Sequence, residues 1–125
     1  MPDLTAIGIT TASIAESCRF YRALGLDVPE PPGEDHFEIT LPTGVRLMWD
    51  TEELVREFDP DADLSGSRVG LALEYANAAE VDAAYERIVA AGFRGKKEPW
   101  DAFWGQRYAL ALDPDDCTVS LFAPL

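Results

Sequence analysis

The apolar positions of this chain change period several times, and each change marks an element. Leu4 to Thr10 alternates, Ile7 and Ile9 against Ala6, Gly8 and Thr10, which predicts a strand with one buried face. Ser13-Ile-Ala-Glu16 reads as a capping box, in which a hydroxyl and a carboxylate satisfy the free N–H groups of a helix start. The helix it opens carries Ile14, Cys18, Tyr21 and Leu24 on one stripe, and Gly25 suits its C-terminal cap. Val28 to Gly33 holds Pro29, Pro31 and Pro32 and reads as a loop. From His36 to Leu41 the residues Phe37, Ile39 and Leu41 oppose His36, Glu38 and Thr40. After a turn at Pro42-Thr-Gly44, Val45, Leu47 and Trp49 oppose Arg46, Met48 and Asp50.

The pattern then breaks and returns. Thr51 to Ser67 carries Asp59, Asp61, Asp63 and Ser65-Gly-Ser67, the composition of an acidic, mobile linker, with a short helix over Glu52 to Phe58. Val69 to Tyr75 sets Leu71 and Leu73 against Gly70, Ala72 and Glu74. Asn77-Ala-Ala-Glu80 is a second capping signal, and its helix, with Val81, Ala84, Tyr85 and Ile88, stops at Gly92. Phe93 to Lys97 predicts a short strand, and Gln106 to Leu112 another. After the turn Asp113-Pro-Asp-Asp116, the last strand sets Val119 and Leu121 against Thr118, Ser120 and Phe122. Strand, helix, then about three strands occur twice, so the chain is an internal duplication. The expected layout is a first module over 1–50, the linker over 51–67 and a second module over 68–125, all in one compact domain.

One stretch stands outside this periodicity. Glu98-Pro-Trp-Asp-Ala-Phe-Trp-Gly-Gln-Arg-Tyr108 holds two of the chain's three Trp residues, with Phe103 and Tyr108. Pro99 and Gly105 bracket the aromatics, which predicts a shaped loop. Such a loop is either a lid over a pocket or a plug over the core. Core aromatics sit at periodic positions, which favours the lid. The sheet positions opposite the apolar faces are small or polar, Ala6, Gly8, Gly70, Ala72, Thr118 and Ser120, as in a binding concavity.

Composition narrows the class. With 125 residues, 47% hydrophobic and 10% aromatic, the chain is one globular domain. It lacks any run of about eighteen apolar residues that would cross a membrane as a helix. Met-Pro-Asp-Leu-Thr at the start is not a signal peptide. Cys18 and Cys117 are too few for a disulfide framework, so a reduced, cytoplasmic protein is expected. A net charge of −13 disfavours nucleic acid and anionic lipid as partners. It would attract a cationic ligand, or else it only keeps the protein soluble.

Four motifs in order carry a resemblance: Phe20-Tyr21-Arg-Ala-Leu24-Gly25; Val81-Asp-Ala-Ala-Tyr85 with Ala90-Ala-Gly92; Trp104-Gly105; and Asp113-Pro-Asp-Asp116. Over nearly its whole length the chain resembles the vicinal-oxygen-chelate superfamily of glyoxalases, extradiol dioxygenases and bleomycin-resistance proteins. The departure inside the last motif is Asp116, where the family usually has Gly. The resemblance implies an α+β fold of two paired βαβββ modules, a curled mixed sheet forming a cup, helices on the outer face, and a homodimer. Enzymes of this family hold a divalent metal on the first and last strand of each module. Those positions fall on Ala6, Met48 (good to two residues), Gly70 and Ser120. None is a hard-metal ligand except, weakly, Ser120, and the chain has a single His. The metal chemistry therefore does not carry over. The resemblance points instead to members that sequester antibiotics without metal or other cofactor.

The remaining candidates divide into two sets. His36, Glu38, Asp50 and Glu74 are either a displaced metal site or acid–base set, or rim carboxylates with a lone His, and the plainer alternative is favoured. Cys18 lies on an apolar helix stripe and belongs to the core. No phosphate-cradling glycine loop and no serine-nucleophile elbow is present. Trp100, Phe103, Trp104 and Tyr108 offer flat faces for a planar ligand, or else seal a dimer seam. Asp101 adds negative charge beside them, and a cation stacked on Trp would gain a cation–π term. The expected ligand-binding set is Trp100, Phe103, Trp104, Tyr108, His36, Glu38, Met48, Asp50, Glu74 and Phe122, with no catalytic and no metal residue. The expected function is sequestration of a small aromatic natural product or antibiotic, with a cation as one option. The alternatives are a lyase or oxidoreductase with a non-standard site, and a structural or regulatory dimer without a ligand.

Overall fold

The computed structural model describes residues 1, 3–65 and 69–125. The linker's last residues and the boundary placed at 67/68 lie outside the described residues, as does Pro2. The first half contains β1 (Ala6–Thr11), α1 (Ile14–Ala23), β2 (His36–Thr40) and β3 (Arg46–Thr51). The helix α2 (Glu52–Phe58) follows at once, capped by the Thr51 hydroxyl, which accepts from Leu54 N–H at 3.2 Å. The second half contains β4 (Leu71–Glu74), α3 (Ala78–Ala90), β5 (Arg94–Ala102), β6 (Gln106–Leu112) and β7 (Thr118–Pro124). The fold is α+β with two mixed sheets, ordered β1-β3-β2 and β4-β7-β6-β5, and the sheets do not close. In each, the first strand runs parallel to the last and the others are antiparallel. The second half is a complete βαβββ module. The first is one strand short, because the segment around Pro29, Pro31 and Pro32 forms no strand. Proline has no N–H to give a ladder.

Both helices start where the sequence predicts, with a difference in their caps. Asn77 Oδ1 accepts from Glu80 N–H at 3.0 Å, and the Glu80 carboxylate accepts from Ala76 N–H at 3.2 Å. Ser13 Oγ accepts from Glu16 N–H at 3.2 Å, but the Glu16 carboxylate pairs with Arg19 at 3.0 Å instead of reaching back. The two helices then satisfy each other's C-terminal carbonyls, which have no partner inside a helix. Arg19 on α1 donates to Ala91 O at 2.9 Å, and Arg87 on α3 donates to Ala23 O at 3.1 Å. Tyr75 adds a bond from its hydroxyl to Leu24 O at 2.6 Å.

One core serves both halves. Trp49 and Tyr21 are buried and meet edge to face at 5.8 Å, Phe37 stacks on Trp49 at 6.0 Å, and Phe20 meets Phe93 at 5.3 Å. Ile9, Leu47, Val81, Ile88, Val119 and Leu121 complete it. A polar contact joins the halves inside this core. The Tyr21 hydroxyl donates to Asp113 Oδ2 at 3.0 Å, while Asp113 Oδ1 accepts from Asp115 N–H and Cys117 N–H, both at 2.9 Å. Burial raises the Asp113 carboxyl pKa against these hydrogen bonds and pushes the Tyr21 phenol far above its usual range. The same turn explains the Asp116 departure: its φ is 67°, left-handed backbone that favours Gly but that Asp tolerates.

Removing the Tyr21 hydroxyl should therefore weaken the join between halves without emptying the core. Tyr21→Phe is expected to lose about 1–3 kcal/mol of stability. Urea unfolding should show this as a lower midpoint at unchanged slope. A midpoint equal to wild type would mean that the backbone donors alone satisfy Asp113.

Candidate functional site

On the first sheet, Ile7, Ile9, Leu47, Trp49, Phe37 and Ile39 belong to the core or pack against it. The alternate side chains therefore project from the other face. They form three rows: Thr10, Asp50 and His36; Gly8, Met48 and Glu38; Ala6, Arg46 and Thr40. His36 Nδ1 lies 2.5 Å from Asp50 Oδ1, and His36 Nε2 lies 2.9 Å from Glu38 Oε2. Arg46 Nη1 donates to Glu38 Oε1 at 3.1 Å. The hydrogen bond to Asp50, then that to Glu38, raises the His36 pKa. His36 and Arg46 in turn lower that of Glu38. Arg46 was not among the expected site residues. The signal was there: it shares the polar alternation of Met48 and Asp50.

The second sheet presents an aromatic face. Trp100, Tyr108, Phe122 and Glu74 stand opposite one another across its four strands. Phe122 stacks on Tyr108 at 6.0 Å, Tyr108 meets Trp100 at 5.5 Å and Trp104 at 5.3 Å, and Phe103 meets Trp104 at 5.0 Å. Trp104 Nε1 donates to Gln106 Oε1 at 2.8 Å. Phe103 is 97% exposed and Trp104 49% exposed.

The expected shaped loop over Glu98–Tyr108 needs correction. β5 runs through Ala102 and β6 begins at Gln106, so only Phe103, Trp104 and Gly105 form the turn. Pro99 is accommodated because β5 is an edge strand and its register shifts between Lys97 and Trp100. Trp100 and Tyr108 are thus strand residues fixed by pairing, and only Phe103 and Trp104 form a tip.

The structure gathers the ten expected residues into two groups. His36, Glu38, Met48 and Asp50 share one sheet face; Trp100, Phe103, Trp104, Tyr108, Phe122 and Glu74 belong to the other sheet. Among the described residues, no hydrogen bond, ion pair or ring contact links the groups. An apolar cleft of about 240 Å³ opens between β1 and β4, lined by Ile7, Tyr21, Leu41, Leu47, Leu71 and Leu73, and none of the ten lines it. Cys18 is fully buried, and burial pushes its thiol up to about 11, so it is no nucleophile.

The divalent metal implied by the resemblance does not fit these residues. Ala6 faces Arg46, a cation, and Met48 faces Gly8. The Met48 Cε lies 3.9 Å from where a Cβ on Gly8 would stand. On the second sheet Ser120 faces Ala72. His36 turns its two nitrogens to two different carboxylates, leaving no shared point for an ion. Among the described residues no group of three His, Cys, Asp or Glu side chains is arranged as a metal site.

The His36 cluster sets a pH dependence. Its folded pKa is raised above the ordinary 6.5, so the protonated ring is favoured in the folded chain. The stabilisation is fully present below the ordinary value and is lost as pH rises through the raised one. As the chain's single His, its ring resonances can be followed directly by NMR. The midpoint is expected above 6.5 in wild type and lower in Asp50→Asn. An unchanged midpoint in that variant would remove Asp50 as the cause.

Comparison with known proteins agrees with the architecture. No protein of curated function matches the chain. A glyoxalase/bleomycin resistance protein/dioxygenase from Nocardioides is 28% identical over 100% of this chain and 85% of its own, with a TM-score of 0.76. A glyoxalase-related enzyme from Fulvimarina pelagi is 21% identical over 98% of this chain and 88% of its own, with a TM-score of 0.84. A glyoxalase/bleomycin resistance protein/dioxygenase family enzyme from Burkholderia phytofirmans PsJN is 19% identical over 99% of this chain and 100% of its own, with a TM-score of 0.81. At those last two identities the likeness is one of fold. The family model described as Glyoxalase/Bleomycin resistance protein/Dioxygenase superfamily matches residues 4–121, and the chain belongs to that superfamily.

Proposed function

We propose that this protein binds a small, planar aromatic compound on the second sheet and sequesters it unchanged, without a metal. The observation that carries this reading is the run of five aromatic rings from Phe122 to Phe103, placed away from the core and partly exposed. Rings in that position stabilise nothing in the core, and flat faces bind flat ligands. The misfit of the metal positions supports a binder over a metal-dependent enzyme. A natural product or antibiotic is the proposed ligand class, in keeping with the bleomycin-resistance branch of the superfamily.

A second reading rests on His36. A protonated imidazole held between two carboxylates is chemically suited to proton transfer, and a glyoxalase-related enzyme shares this fold. Incubating aromatic compounds with the protein and recovering them by mass spectrometry separates the two. Recovery of intact compound supports sequestration, and conversion over several turnovers makes the protein an enzyme.

Trp49 is fully buried beneath α1, so ligand binding should quench only the Trp100 and Trp104 part of the fluorescence. Trp100→Ala or Trp104→Ala is expected to weaken binding by about 2 kcal/mol, roughly thirtyfold in Kd. Full affinity in both variants would make the rings a structural seal.

The proposal includes a homodimer. β2 and β5 are edge strands, and Phe103 projects from the β5–β6 turn. Unpaired edges and a bare aromatic tip need cover, which a second copy supplies around a twofold axis. Light scattering at micromolar concentration is expected to give twice the chain mass. A monomer would place the whole ligand site within one chain.

A further inference from the structure

We infer that the aromatic face takes an anionic ligand, an aromatic ring bearing a carboxylate, sulfonate or phosphate, with Lys97 as its charge partner. This rests on the ligand site proposed above and reverses the preference that the net charge of −13 suggests.

Strand alternation alone would send Lys96 and Lys97 to opposite faces. The ladder shows why it does not. Gly95 stands opposite Ala111 and Lys97 opposite Leu110, so two steps along β5 answer one along β6. That extra residue is a bulge, which re-aims side chains. Gly95 faces α3, where a Cβ on it would run into the Tyr85 ring. Lys96 Nζ reaches Thr118 Oγ1 at 3.1 Å, and Lys97 Nζ stands 3.9 Å from the Trp100 ring centroid. Both partners lie away from the core, Thr118 opposite Leu112 on β6 and Trp100 opposite Tyr108. The bulge therefore turns both lysines to the face that carries the aromatic run, but only Lys97 reaches it, since Thr118 lies four residues along β7 from Phe122, about 14 Å.

The charges around them point the same way. Among the described residues no carboxylate lies within ion-pair distance of Lys96 or Lys97. The neighbouring charged groups are otherwise engaged: Arg94 pairs with Asp116, and Asp101 pairs with Arg107 at 3.1 Å. Glu98, exposed and next to Lys97 in the chain, forms no ion pair with it. Glu74 lies on β4, three strand spacings away, about 14 Å. A cationic ligand would meet Lys97 already seated over the Trp100 face and be repelled. An anionic one finds the Lys97 ammonium at Trp100, with the hydroxyl of Ser120 opposite Leu110 in the Lys97 row.

The test uses two probes that differ by one group, anilinonaphthalene sulfonate and its uncharged parent phenylnaphthylamine, titrated into the full-length protein. The sulfonate is expected to bind about tenfold tighter, with a preference that shrinks in high salt. Lys97→Gln should remove that preference. Trp100→Ala should weaken both probes, which ties them to this site. Equal binding of the two probes to wild type overturns the anion preference while leaving the aromatic face as a ligand site. So does a Lys97→Gln variant that keeps the preference, in which case the lysine only guards the β5 edge against pairing. If neither probe binds, the ligand site itself falls, and this inference with it.

Discussion

The hydrogen bond from Tyr21 to Asp113 is the constraint on which the arrangement of the two halves depends. Among the described residues no backbone ladder joins the sheets, so their relation is set by side-chain contacts, of which this one lies in the core. Tyr21 reaches from α1 to the β6–β7 turn, and Asp113 holds that turn shut through two of its own N–H groups. A carboxyl so buried is tolerated only because its oxygens are engaged. Around this point the aromatic core packs, with Trp49 against Tyr21 and Phe37 on Trp49.

Local signals made much of the fold legible. Period-two stretches, capping residues and Gly stops located both helices and the strands, because each is dictated by neighbours in sequence. The three prolines read as a loop, yet the duplication called for about three strands after the helix in both halves, and the first half has two. β5 was only half visible. Pro99 and the aromatics suggested a loop, and its true identity depends on pairing with β6, a non-local fact. The Asp116 anomaly was noted from sequence, but its cause, a left-handed φ, required the backbone.

The sequence offers the candidate residues one by one and not their arrangement. All ten candidates were named, but alternation could not show that they fall into one charged face and one aromatic face. Arg46 and the lysines escaped notice for different reasons. Arg46 stands in plain alternation, but its partner Glu38 lies across the strand pair, a non-local fact. Lys96 and Lys97 obey no simple alternation, since a bulge reverses the side to which one of them points.

The reciprocal arginine contacts carry a consequence for how the faces came to differ. Arg19 caps the end of α3 and Arg87 caps the end of α1, each from a different position on its helix, so the join between the halves is not one contact repeated. Two identical modules paired across a twofold axis would have to carry identical faces, because any substitution appears on both. Modules that share one chain are free of that constraint. One sheet can therefore be charged and the other aromatic while the two unlike arginine contacts hold the helices together.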